Sequence, residues 1–320
     1  MKKAKAELKE KLLFLSRFIV GTGILFVLFK LVPYSQLIKI YKESIKTYIF
    51  LGGTGFFGTS IIGLLRWRFF LRSLNLKLPF RNIFYSLFSS FFFNLFFPSF
   101  IAGDVFRSCS LYKYNLNKII PSVFMDRFSG MIALGIIVCF ASILGGELIK
   151  EKEIVVAILL FLGVIVGITL IAFSKKFLKL ISKCVKNDNL KRKIVILHNE
   201  LYFFRKHPKI LLKSLIYALL IQCLTCLSFF FIARGFYLNT NIIYFFTLIP
   251  IIMIVSALPV TIAGAGTREG ATIYLFSKIG VDSSISLSMS LLYLMFQITL
   301  GLIGGILYVM VHCGWLEYNK

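Results

Sequence analysis

Acidic residues are scarce in this chain. Thirteen Asp and Glu stand against 37 Lys and Arg in 320 residues, and charged residues of both signs reach only 16%, where soluble domains carry roughly 25%. Histidine is rarer still: His198, His207 and His312 are scattered, the first two in a basic loop. They give no metal-ligand spacing, so neither a metal nor a cofactor is expected. The six cysteines lack the regular spacing of a disulfide scaffold. Cys223-Leu-Thr-Cys226 has the form of a CxxC, but no second pair or nearby histidine completes a zinc site. It reads as small packing residues in an apolar helix. No nucleotide-binding P-loop is present, so ATP is not the direct driver of any activity.

Apolar residues fill the space. They make up 58% of the chain, with 35 phenylalanines and a mean hydropathy of +0.86. A net charge of +24 on such a chain does not describe a nucleic-acid binder or a disordered polycation. It describes a polytopic, all-α membrane helix bundle. The basic start, Met1 to Arg17, leads into an apolar run, Phe18 to Val32, with no small-x-small cleavage site after it. An uncleaved first span is expected there.

A spanning helix needs about 20 predominantly apolar residues. Six stretches qualify: 14–32, 46–65, 122–144, 154–173, 211–233 and 284–311. Two more, 83–103 and 242–263, end in Pro/Gly segments, each followed by a shorter amphiphilic stretch, 104–115 and 267–279. If both crossed the bilayer, the 174–213 segment would be translocated. That segment carries twelve Lys and Arg against Asp188 and Glu200, a gross breach of the positive-inside rule. If each dips in and returns, the 66–82 loop, the 113–121 turn and the 174–213 loop all stay in the cytoplasm. The expectation is therefore six full spans plus two re-entrant helical hairpins, eight apolar segments in all. The cell membrane is the location, with both termini cytoplasmic.

The two hairpin turns match each other. Pro98-x-x-Ile101-Ala102-Gly103-x-x-x-Arg107 and Pro259-x-x-Ile262-Ala263-Gly264-x-x-x-Arg268 share five identities in ten positions at an offset of 161 residues. Pro/Gly interruptions at corresponding places in two halves are a pointer to a transporter binding site. In the topology above the hairpins enter from opposite faces, so the repeat is inverted and the tips approach the midplane. Gly266 completes the second turn.

Asp104, Asp126 and Glu269 are the acids in apolar surroundings, beside Arg107, Arg127 and Arg268. Intramembrane ionisable residues are costly, usually paired, and mark function. Two uses remain open here: ion pairs that fix helix packing, or a charged pocket whose arginine forks take a lipid phosphate. Asp104 and Thr267 are also placed to cap the returning half-helices. Asn94 is expected to bond freed backbone at the bend or a headgroup, and Gln297 to serve an interhelical hydrogen bond. Arg66-Trp67-Arg68 reads best as the interfacial end of the second span. No catalytic residue is assigned.

The order Arg66-Trp67-Arg68, Asn94…Pro98…Gly103-Asp104…Arg107, Asp126-Arg127-Phe128…Gly130 and Pro259…Gly264-x-Gly266-x-Arg268-Glu269-Gly270 resembles the lysylphosphatidylglycerol synthase transmembrane family. This is the flippase-like membrane region of multiple peptide resistance proteins, and the likeness covers essentially the whole chain. Ala102 and Ala263 stand where the family often has glycine. The resemblance implies a single membrane domain over 1–320, with no soluble acyltransferase domain after it, and a role in antibiotic resistance. It implies a flippase for a membrane phospholipid of phosphatidylglycerol or aminoacyl-phosphatidylglycerol type. The alternatives are the membrane part of, or a partner to, a phosphatidylglycerol lysyltransferase, or a lipid-linked glycosyl- or phosphotransferase. Partners would be the lipid and a separate synthase or glycosyltransferase, and no nucleic acid. Enzyme activity is left open, with the absence of a nucleophile–histidine arrangement weighing against it.

Overall fold

The computed structural model describes residues 30, 34–96, 102–144, 152–173, 195, 199–257, 260–261 and 264–313. The first span at 14–32, Pro98 and Pro259 at the hairpin turns, and most of the basic stretch 174–198 lie outside the described residues. What is described is helical, without a strand. Four helices have the length and apolar content to cross a membrane. They are α2 (Lys46–Ser73), α5 (Leu116–Leu144), α7 (Pro208–Gly235) and α10 (Ser283–His312). α6 (Lys152–Phe173) carries a shorter apolar stretch, Ile158–Leu170. Side chains such as Phe50, Phe140, Ile143, Leu160 and Leu170 are exposed. Apolar surface on that scale requires lipid around it.

The two odd stretches are short helices, each followed by a shorter one. α3 (Phe80–Phe96) and α8 (Ile242–Ala257) hold 17 and 16 residues, roughly 25 Å of helix, short of the hydrocarbon thickness of about 30 Å. Each turns and packs against the short helix after it, α4 (Ala102–Ser110) and α9 (Thr267–Ser277). The antiparallel register is explicit. Asn94 Oδ1 accepts the Gly103 N–H at 2.9 Å, Phe93 stacks on Phe106 at 4.2 Å, and the Ser86 and Ser110 hydroxyls are 2.6 Å apart. In the second hairpin Phe245 meets Phe276 at 5.4 Å, while Gly264 lies against Ser256.

The repeat extends beyond the turns. The 161-residue offset carries α2 onto α7 and α3 onto α8, and places α4 and α5 within about two turns of α9 and α10. α2 and α7 pair antiparallel: Ile45 N–H donates to Gly235 O, Ser228 Oγ donates to Gly52 O at 2.7 Å, and Phe69 meets Tyr217. A Cβ on Gly52 would come within 2.8 Å of Ile232, so glycine is what lets these two helices close. α3 packs on α10 and, in the other half, α8 packs on α5. Each half thus lends its short apolar helix to the long helix of the other.

α10 gathers both hairpins. Its Gly301, Gly304 and Gly305 lie against Leu95, Phe88 and Phe92 of α3, and its Ser290 and Gln297 bond to Arg268 on α9. The hairpins reach α10 from opposite ends and turn near its middle. An amphipathic α1 (Tyr34–Glu43) seals the start of α10, with Tyr41 OH donating to Ser288 O at 2.8 Å.

Three boundaries differ from the sequence expectation. α2 continues through Arg66–Trp67–Arg68 to Ser73 and α3 starts at Phe80, so most of the expected 66–82 loop is helix. Residues 199–206 are helical, and Leu201 and Phe204 pack on Phe70, Leu74, Met125 and Phe128; the loop expected over 174–213 is already core from 199 onward. α5 begins at Leu116, bringing Asp126 nearly three turns inside the helix. The basic residues here collect at one end of the bundle: Lys118 Nζ reaches Leu74 O, Arg68 lies over Phe80 and Lys213 over Phe69.

Candidate functional site: two buried charge clusters

The first hairpin docks against α2 and α5 and closes a network of five charged side chains. Arg66 Nε donates to Asp126 Oδ1 at 2.7 Å, and Arg107 Nη1 donates to Asp126 Oδ2 at 3.1 Å. Arg107 Nη1 also lies 3.4 Å from Asp104 Oδ1. Arg127 grips Asp104 with Nε at 2.8 Å and Nη2 at 3.1 Å, a two-point carboxylate clamp. Pairing is thus not by neighbours in sequence: Asp126 serves Arg66 and Arg107, whereas Arg127 serves Asp104.

Helix periodicity explains the arrangement. Asp104 and Arg107, three apart on α4, share a face, and Asp126 and Arg127 point from α5 to different partners. The Arg107 guanidinium lies 4.0 Å from the ring centre of Trp67, whose Nε1–H donates to Ser122 Oγ at 3.1 Å. A fully buried indole therefore floors the site, offering the arginine a cation–π contact. Arg107 is 3% and Arg66 8% exposed. Arg107 Nε and Nη2 and Arg66 Nη1 are buried with no hydrogen-bond partner among the described residues.

The second hairpin is built differently. Gly264 and Gly266 have φ of +72° and +92°, a left-handed backbone that suits glycine. Glu269 Oε2 accepts the Gly266 N–H at 2.6 Å, satisfying a free donor at the start of α9. Glu269 Oε1 receives Arg268 Nη2 at 2.6 Å, Arg268 Nε at 3.2 Å and the Ser290 hydroxyl at 3.0 Å. Arg268 Nη1 donates to Gln297 Oε1, and the guanidinium faces the Tyr293 ring at 5.5 Å.

Most sequence-selected residues do converge. Asp104, Arg107, Asp126 and Arg127 form one cluster, Arg268 and Glu269 another, and Gly103, Gly264 and Gly266 shape the turns. Asn94 bonds backbone, the first of its two expected roles. Capping is a correction: Thr267 is the first helical residue, with its hydroxyl on Gly264 O, and Glu269 takes the capping task. Asp104 sits inside the first turn of α4 with its carboxylate on arginines. Arg66 and Trp67 are the residues whose part sequence reasoning missed. The signal available was the unbroken helix pattern through position 73.

A large apolar groove of about 1080 Å³ runs beside α5, walled by Phe128, Ile132, Leu170 and Leu212, with Arg205 and Lys209 among its lining.

Two opposed helical hairpins, each with a buried arginine on its returning helix, inside a lipid-facing bundle define a polytopic membrane protein with an internal repeat. The family described as the lysylphosphatidylglycerol synthase TM region matches residues 14–305. The chain belongs to that family. No curated protein matches it.

Proposed function

We propose that this protein moves a phospholipid of phosphatidylglycerol or aminoacyl-phosphatidylglycerol type across the cytoplasmic membrane, with its basic end and both termini in the cytoplasm. The observation that carries this reading is the packing of two hairpins on α10, each with a buried guanidinium on its returning helix, Arg107 in the last turn of α4 and Arg268 in the first turn of α9. Non-helical backbone at membrane depth survives only where protein or a wet cavity surrounds it, and such broken helices are where transporters hold polar cargo. Arginine at that depth suits a phosphate headgroup, and the groove beside α5 gives an acyl chain an apolar wall. Movement would follow the substrate gradient, couple to protons through Asp104 or Glu269, or be simple equilibration.

A second reading follows from the family description: the chain serves as the membrane partner of a separate lysyl- or glycosyl-transferring synthase. The two readings part in reconstituted vesicles. Purified protein should make labelled phosphatidylglycerol of the inner leaflet accessible to a membrane-impermeant quencher faster than protein-free vesicles do. Unchanged kinetics, with lipid modification appearing only when a synthase is added, would select the partner reading.

A further inference from the structure

The groove beside α5 lies apart from both charge clusters. Met125, Ser129 and Ile132 line it from one face of α5, whereas Asp126 turns to Arg66 and Arg107, and Arg127 to Asp104. Its outer walls face the lipid: Leu170 of α6 is 64% exposed and Leu212 of α7 62%.

Polarity is sorted along its length. The hydroxyls of the wall bond back to their own helices: Ser129 Oγ donates to Asp126 O, Thr169 Oγ1 to Ile165 O and Ser214 Oγ to Leu211 O. The wall they leave is apolar. The charge sits at one end. Arg205 and Lys209, both exposed, flank the start of α7 at Pro208, while Leu212 and Leu215 continue the wall roughly 4.5 and 9 Å beyond Lys209 along that helix. Among the described residues no acid lines the groove.

A cationic edge followed by an apolar length complements an anionic amphiphile standing in one leaflet. The volume of about 1080 Å³ exceeds the roughly 300–1,000 Å³ of pockets for drug-sized ligands. A partner helix fits less well. Helix contacts in a bilayer favour small residues that let backbones approach, and no glycine or alanine lines this groove among the described residues.

We propose that the groove is a docking site for a diacyl phospholipid with an anionic headgroup, taken from the cytoplasmic leaflet. Its chains lie against Phe128, Ile132, Leu170 and Leu212, and its phosphate lies at Arg205 and Lys209. A zwitterionic lipid brings an ammonium that the same two cations repel, so it binds more weakly. A role as the entry point for cargo rests on the translocase reading; the docking itself does not.

The test is equilibrium binding of phosphatidylglycerol to the full-length protein in detergent, with a fluorescent or photoreactive group on the acyl chain. Phosphatidylcholine with the same labelled chains is the comparison. Phosphatidylglycerol should bind saturably and at least fivefold more tightly, and its photoproducts should map to the α5 and α7 segments around Phe128–Ile132 and Leu211–Leu215. Lys209→Gln should weaken binding about fivefold, as expected for one cation at a lipid surface, and Lys209→Gln with Arg205→Gln at least tenfold. Leu212→Trp fills the groove without touching a charge and should abolish saturable binding. Leu220→Trp, on an exposed position of the same helix outside the groove, should leave binding within twofold.

The proposal is overturned if the two lipids bind alike, if Leu212→Trp binds like wild type, or if photoproducts spread evenly over the lipid-facing helices. It is also overturned if Leu212→Cys cross-links two copies of the chain through the groove. Saturable groove binding in a protein that moves no lipid supports the site and removes the translocase reading. Lipid movement by a protein with no groove labelling removes the site alone.

Discussion

Arg66 and Asp126 meet at 2.7 Å across 60 residues of sequence, tying α2 to α5 inside the bundle. The same carboxylate holds Arg107 of the first hairpin with its other oxygen. One acid thus locks three elements together. Removing one partner of a buried ionic network typically costs about 3–5 kcal/mol. Asp126→Asn should therefore destabilise the folded protein by about that amount, because it removes the carboxylate charge that Arg66 and Arg107 share. Thermal unfolding in detergent checks this, and an unchanged midpoint would show that the network does not hold the hairpin.

Gly304 faces the Phe88 backbone and Gly301 the Leu95 side chain. Gly304→Leu should separate α3 from α10, at a cost of about 1–3 kcal/mol or more from overpacking. A cysteine pair placed on α3 and α10 would lose cross-linking in that variant and keep it in wild type.

The second turn depends on left-handed backbone. Gly264→Ala combines φ of +72° with a Cβ only 2.8 Å from Ser256 O, so a loss of at least about 1 kcal/mol is expected. Gly270→Ala, with nothing within 4 Å of its added Cβ, should be neutral or slightly stabilising, since alanine favours helix. The pair of melting temperatures separates backbone strain from a general intolerance of the hairpin.

Much of this was legible in the sequence because membrane helices announce themselves through length, and the positive-inside rule turned the two short stretches into hairpins. The five shared positions around Arg107 and Arg268 showed the repeat, which the helix boundaries extend to whole halves. Side-chain partnership was less legible. Adjacent acids and arginines suggested adjacent pairs, but Asp126 and Arg127 point from α5 to different partners. Arg66 and Trp67 looked interfacial, because an Arg-Trp-Arg run at the end of an apolar stretch is the ordinary mark of a membrane edge. Only the packing of α4 and α5 over the last turns of α2 reveals that they floor the site.

Topology gives a further prediction. The described basic residues near Leu74, Lys118 and Lys213 collect at one end of the bundle, and the positive-inside rule puts that end in the cytoplasm. A cysteine introduced at position 190 should resist impermeant thiol reagents in intact cells and react after permeabilisation. Labelling in intact cells would reverse the proposed orientation.

The most direct test of the central claim is the rate at which reconstituted protein moves labelled phosphatidylglycerol between leaflets, wild type against Arg107→Gln, at equal amounts of folded protein. Movement well above that in protein-free vesicles, falling at least tenfold in the variant, is the result predicted here. Equal rates for the two proteins, or no movement by either, would contradict it.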